Sequence, residues 1–320
     1  MHEITTTRAN PLVDPAVHVW HAEVPIYLFL GGLVAGLMIL TGGWYLLRGR
    51  PVSRALALLP WTAPLLLTVG MLFLWLDLEN RWNAWRFYLT WQPTSPMSWG
   101  SWILLAVYPV SLLMAWVTTP DETRAAILER LPFGRALMER AGGWATARAG
   151  ALSWASLGFG AALGVYTGVL LGTMAARPLW NSAILGPLFL ASGVSSAAAF
   201  VLLYRVSDDE RLAIGRLDMG VMLVEAMLLG LWLVALGTGS ASSRAAAALL
   251  FGGAYGAAFW TLVVAMGLVT PMVAEWIEAR HGLVPGRIPA VLVLLGGFAL
   301  RWIVVYAGQE SSVLMQTAMR

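Results

Sequence analysis

Eight apolar runs, each close to 20 residues long, constrain this chain more than any other feature of it. An α-helix rises 1.5 Å per residue, so about 20 apolar residues cross the ~30 Å hydrocarbon core of a bilayer. The runs lie at about 25–47, 55–76, 99–117, 151–175, 184–204, 219–236, 248–273 and 288–307. Long strand-like alternation is absent, which favours helices over a barrel. Only 12% of the residues are charged and the mean hydropathy is +0.72, against about 25% charged in an ordinary soluble domain. Too little polar surface is present for a soluble globular enzyme, a nucleic-acid-binding domain or a disordered chain. The pattern predicts an all-α polytopic membrane protein with eight transmembrane helices.

The first 25 residues are polar and Pro-broken and lack the basic start and apolar core of a cleavable signal peptide. The runs divide the chain into an N-terminal segment (1–24), a first four-helix bundle (25–175), a second (176–308) and a C-terminal tail (309–320). The longest polar stretch between runs, 119–150, alternates acids with Arg. It is expected to form an interfacial helix followed by a turn at Gly142 and Gly143.

All 20 basic residues are Arg, and their placement orients the chain. Thirteen fall in the first, third, fifth and seventh connections, six on the opposite face with the termini, and Arg301 inside the eighth run. Cytoplasmic loops keep the positive excess, so both termini are expected in the periplasm. The pI near 9.5 is therefore a signal of topology, and no nucleic-acid partner is expected. Aromatic residues at Trp20, Tyr27 and 82–91 fit an outer interfacial belt.

Polar groups at membrane depth are costly and point to function. His18, His21, Glu23 and Tyr27 open the first run; on a helix His18 and His21 are i,i+3 neighbours and Glu23 and Tyr27 are i,i+4 neighbours. Asp77, Glu79 and Arg81 close the second, and an Asp77–Arg81 pair at i,i+4 is the simplest expectation there. A Pro-rich turn before the third run offers Ser95 or Ser98 as a helix cap. Tyr166 and Thr167 lie in the fourth run, with Arg177, Trp180 and Asn181 just beyond. Asp218, Glu225 and Arg301 occupy the second half, Glu225 as a partner for Arg301 or for a backbone group. The glycines Gly31, Gly32 and Gly36 read first as close helix-packing positions. Four of the five clusters share the outer side of the first four runs, a convergence that structural polar residues scattered at random would not give.

The chain has no Cys and four His, so it cannot ligate an iron–sulfur cluster by itself. The His do not face one another on two spans, so a bis-His haem ladder is not expected. No metal-ligand spacing, P-loop or nucleotide fingerprint is present. Any redox role must then operate at a single face, with a diffusible redox molecule and an external electron carrier.

At these residues the chain resembles the NrfD/PsrC family of quinone-interacting membrane subunits, the polysulfide reductase type. The matching segments are Tyr27-Leu-Phe-Leu-Gly-Gly-Leu-Val-Ala-Gly36, Leu76-Asp77-Leu with Arg86-Phe87, and Thr94-Ser-Pro-Met-Ser-Trp-Gly100. Further matches are Gly164-Val-Tyr-Thr-Gly-Val-Leu-Leu171, Pro178-Leu-Trp-Asn181, and Leu295-Gly-Gly-Phe-Ala-Leu-Arg301 through Ala307-Gly-Gln309. The resemblance implies eight spans in two bundles in a bacterial cytoplasmic membrane. It implies exchange of electrons between menaquinone or ubiquinone and a docked ferredoxin-like iron–sulfur subunit at the periplasmic face, with a molybdopterin catalytic subunit beyond. The implied catalytic groups are Asp77, Glu23 and Tyr166, with His21, Tyr27 and Trp180 also at the quinone. Glu79, Arg81, Asp218, Glu225 and Arg301 are the candidates for proton movement. The family's Asn and His three residues apart on the first span have no equivalent here; Glu23 with Tyr27, or His18 with His21, occupies that stretch.

Overall fold

In hydrocarbon every backbone N–H and C=O must be satisfied within the protein, and an apolar run does so by becoming a helix. A computed structural model describes residues 20–130, 134–281 and 283–311. Among them are eight helices long and apolar enough to span a membrane: Glu23–Arg48, Arg54–Asp77, Pro96–Thr118, Ala149–Gly172, Leu185–Leu202, Asp208–Thr238, Gly256–Arg280 and Arg287–Glu310. The expected number is met, and several ends move for local reasons.

The sixth span starts eleven residues before the apolar run because Ser207 and Glu210 cap it. Glu210 Oε2 accepts the Ser207 N–H at 3.2 Å, while Oε1 accepts the N–H groups of Val52 (2.7 Å) and Ser53 (3.1 Å) from the first connection. A carboxylate that hydropathy reads as loop is in fact buried and ties two connections together. The seventh run begins instead as a separate helix, Ala241–Phe251. Gly252 and Gly253 end that helix, both donating to the carbonyl of Ala248, and the span itself starts at Gly256. Between Phe259 and Val269 this span winds as a wide π-helix, and Thr270 N–H reaches back five residues to Ala265. The second span opens with a short helix, Arg54–Leu58, and tightens through Leu59–Trp61 at Pro60.

The polar stretch after the third span forms two helices, Asp121–Arg130 and Arg135–Ala147. Gly142 and Gly143 lie inside the second of them, contrary to the expected turn. The Trp116 indole takes the room beside Gly142, where an added Cβ would sit 2.1 Å from Nε1. Arg124 donates to the carbonyls of Trp116 (3.0 Å) and Val117 (2.7 Å), satisfying the end of the third span.

The first span packs against the second, fourth, fifth and eighth, and the fifth also against the fourth, sixth and eighth. The fifth is accordingly the most enclosed, with 83% of its residues buried. Glycines set the closest approach. A Cβ on Gly36 would lie 2.3 Å from the Gly193 carbonyl oxygen, and one on Gly193 would lie 2.5 Å from that of Gly32. Gly31 meets nothing within 4 Å, so packing in that segment belongs to Gly32 and Gly36. The sixth and seventh spans are the least enclosed, and their outward Leu, Val, Met and Trp side chains suit lipid.

Candidate functional site

The first site sits where the first, second and fourth spans reach the end of the bundle that holds Trp20 and Gln309. The chain enters there through Trp20, whose backbone N–H donates to Gln309 Oε1 at 2.9 Å while Gln309 Nε2 donates to the Trp20 carbonyl at 3.0 Å. The Trp20 ring stacks on Trp180 at 5.0 Å between centroids. Trp180 is buried, and its indole N–H donates to the Val304 carbonyl at 2.7 Å. Arg177 also donates to the Gln309 carbonyl. This lock holds the start of the first span against the end of the eighth. It spends the one polar group of Trp180 on the backbone and buries the ring between Trp20 and Gly308.

Below the lock the polar residues converge. Tyr27 lies within electrostatic range of both Tyr166 and Asp77, and Asp77 within range of Glu23 and His21. Tyr27 thus connects Tyr166 to Asp77, and Asp77 connects on to Glu23 and His21, a chain of five residues from three spans and the entry segment. Glu23 Oε2 is buried without a hydrogen-bond partner, which leaves an acceptor, or a donor if protonated, for a further group. His18 lies outside the described residues.

The expected Asp77–Arg81 pair does not form, because the helix ends at Asp77 and Leu78 is extended. Arg81 Nη2 instead donates to the Leu76 carbonyl at 2.7 Å, capping the span, and the guanidinium lies 5.7 Å over the Trp75 ring. Glu79 is exposed in the following turn.

The Pro-rich motif before the third span meets the fourth span directly. The Tyr166 ring lies against Gly100, where a Cβ would fall 2.2 Å from its hydroxyl oxygen. Ser95 occupies the cap position without a side-chain cap bond. Ser98 binds the preceding loop instead, accepting from Gln92 N–H (3.0 Å) and donating to the Thr90 carbonyl (3.2 Å). Ser101 donates to the carbonyl of Phe87 at 3.0 Å. The loop rich in exposed Trp is thereby tied to the start of the third span, with Trp82, Trp85 and Trp91 outward.

The second polar cluster is deep between the fifth, sixth, seventh and eighth spans. Arg301 is fully buried; it donates to Ser192 Oγ (3.1 Å), to the Gly297 carbonyl (2.7 Å) and to the Phe189 carbonyl (3.0 Å). The rings of Phe29 and Phe189 lie 5.7 Å and 5.3 Å from the guanidinium carbon, a cation–π arrangement. Gly32 makes the space, since a Cβ there would be 2.6 Å from Nη2. Glu225 lies near the same Ser192 hydroxyl and within electrostatic range of Arg301. Asp218, fully buried, accepts from Ser195 Oγ at 2.7 Å and faces Glu275.

Glu275, Ser192 and Ser195 were not among the sequence candidates. The Ser192-Gly-Val-Ser195-Ser196 spacing places the serines on one helical face, a legible signal. Glu275 lay just beyond the apolar run and carried none. Among the described residues no group of three or more His, Asp or Glu is placed to hold a metal ion.

Residues 10–312 match the family described as "Polysulphide reductase, NrfD". The protein belongs to that family. It is 32% identical to the C subunit of polysulfide reductase from Wolinella succinogenes over 309 residues, 91% of this protein and 94% of the relative. It is 31% identical to protein NrfD of Escherichia coli over 308 residues, 91% and 95% of the two proteins. A NrfD homolog of Haemophilus influenzae is 27% identical over 315 residues. Family and spans together make it a multi-pass protein of the bacterial inner membrane.

Proposed function

We propose that this chain is the quinone-reactive membrane subunit of a respiratory oxidoreductase. It would exchange electrons between the menaquinone or ubiquinone pool and a ferredoxin-like iron–sulfur subunit docked at the periplasmic face, with a molybdopterin catalytic subunit beyond. The observation that carries the reading is the convergence of His21, Glu23, Tyr27, Asp77 and Tyr166 at one mouth. The unpartnered Glu23 oxygen and the apolar helices beneath suit a head group with two carbonyls and a long apolar tail. A quinone there supplies two-electron chemistry coupled to two protons.

The chain's own part is binding and proton handling. Tyr166 donates a hydrogen bond from its hydroxyl to one carbonyl, oriented by its seat on Gly100. His21 or Glu23 serves the other. Asp77 carries protons between this pocket and the water near Glu79, and Arg81 shapes the exit by closing the helix end. Tyr27 lines the approach, and the buried Trp180 supports it from behind through its stack on Trp20. In this reading the first four spans form the quinone-binding bundle (25–175) and the last four a second bundle (176–308), both termini facing the periplasm.

A second reading has an observation of its own. The serines of the fifth span hold Asp218 and Arg301 on one helical face, with Glu225 near Ser192, which favours proton translocation through the second bundle beside the quinone chemistry. A pure membrane anchor needs neither cluster. In the intact complex Tyr166→Phe and Asp77→Asn are each expected to lower quinol-linked turnover by about tenfold or more; turnover unchanged in both would overturn the assignment. Saturable binding of a quinone-site inhibitor separates it from the anchor, and proton uptake into liposomes without a redox partner would favour translocation.

A further inference from the structure

A ligand that arrives from the bilayer needs a boundary between spans that is not sealed, and the boundaries of the first four spans differ in this respect. The first span is closed against the second at Gly70, where an added Cβ would lie 3.4 Å from that of Leu30. It is closed against the fourth more tightly still. A Cβ on Gly42 would lie 2.6 Å from the Ser153 carbonyl oxygen, and one on Gly160 would lie 2.8 Å from that of Ala35. The third span packs along the fourth, from Gly100 against Tyr166 down to Met114, whose sulfur accepts from Ser153 Oγ at 3.9 Å. The second and third spans, although consecutive, meet chiefly at their Arg-rich ends through Leu59–Trp61. There the Trp61 indole donates to Thr119 Oγ1 at 2.8 Å.

In mid-span the Tyr108 hydroxyl donates to Thr68 Oγ1 at 3.2 Å, because the threonine's own hydrogen goes to the Pro64 carbonyl at 2.8 Å. Positions three and four residues away share a helix face, so Leu65 and Leu72 flank Thr68, and Leu105 and Leu112 flank Tyr108. All four are exposed, by 64%, 52%, 52% and 42% in that order. Two apposed helix faces in close contact would bury such side chains against each other, and these faces do not. An apolar cleft therefore lies between the two spans, with Leu72 and Leu105 on its walls above the Tyr108–Thr68 bond. Asp77 is five residues beyond Leu72, and Gly100 five residues before Leu105, about 7.5 Å of helix in each case. The cleft thus runs toward the carboxylate at the end of one span and the seat of Tyr166 at the start of the other.

We propose that this cleft holds the isoprenoid tail of the quinone and is its path of entry from the bilayer, an inference that rests on the quinone reading of the Tyr166 cluster. The tail lies between Leu72 and Leu105 while the head group reaches Tyr166. It crosses the Tyr108–Thr68 bond without stranding a donor, since both hydroxyl hydrogens are already used. A phospholipid acyl chain fits the same walls, but its phosphate would have to lie beside Asp77 and Glu23, which repel it.

The test uses the full-length protein in nanodiscs with tritiated quinones, binding being read at equilibrium by scintillation proximity. Menaquinone-4 and ubiquinone-4 are each compared with the tail-less head, menadione or ubiquinone-0. Leu72→Trp and Leu105→Trp narrow the cleft from exposed positions, and Leu231→Trp, exposed on the sixth span, is the control. The two cleft variants should each weaken binding of the long-tailed quinone about tenfold and leave its tail-less head unchanged. Leu231→Trp should change neither. Long-tailed binding untouched by both cleft variants, or weakened equally for the tail-less head, would overturn the cleft and leave the head-group assignment standing. Saturable binding of none of the four quinones would overturn both.

Discussion

Gly100 and Tyr166 meet so closely that one hydrogen-to-methyl change separates them. A Cβ on Gly100 would fall 2.2 Å from the tyrosine hydroxyl oxygen, well inside van der Waals contact, so Gly100→Ala must turn the ring away. Turnover should fall by about tenfold, ~1.4 kcal/mol in transition-state terms, with helix content by circular dichroism unchanged. An unaltered rate would mean that the ring has no fixed role. Arg301 offers the opposite case, a charge whose removal strands its neighbours. Its three hydrogen bonds and the nearby Glu225 make Arg301→Met costly, by about 1–3 kcal/mol for the buried acceptors left unpaired. A lowered unfolding midpoint in detergent is expected. Glu225→Gln added to Arg301→Met should recover part of the loss, because the orphaned carboxylate is then gone.

Helices in a bilayer gain little from apolar burial against one another, so close backbone approach does much of the packing. The crossing of the first and fifth spans at Gly32, Gly36 and Gly193 is among the tightest, with that of the seventh and eighth at Gly267 and Gly296. Gly36→Leu would place a branched side chain where the fifth-span backbone now lies, and the yield of monodisperse protein in size-exclusion chromatography is the readout. We expect it to fall sharply, whereas Gly31→Ala, facing open space, should leave it unchanged. The start of the sixth span depends on Glu210, which accepts three backbone N–H groups. Glu210→Ala strands the Val52 and Ser53 donors and should cost on the order of 1–3 kcal/mol, seen as a lowered unfolding midpoint.

The absence of Cys makes the orientation of the assembled protein directly measurable. Single Cys at Trp82 and at Arg140 should label oppositely with a membrane-impermeant maleimide on intact spheroplasts: position 82 labelled, position 140 protected. The reverse result would invert the topology argued from Arg placement. Eight spans and the all-α class were legible in the linear chain, because bilayer thickness fixes run length. The grouping of polar residues at the mouth of the first span was legible in outline, since short motifs at span ends mark one face. The Asp77–Arg81 pair was misjudged because i,i+4 spacing presumes a helix that stops at Asp77. The glycine turn at Gly142 and Gly143 failed because a Trp from another element claims that surface. Length and hydropathy along the chain therefore settle how many times it crosses and which loops carry the charge. Which side chains face one another across spans, Gly100 with Tyr166 or Arg301 with Ser192 and Gly32, emerges only when helices pack, since rotation about each axis leaves hydropathy unchanged and is set by backbone contact and buried hydrogen bonds.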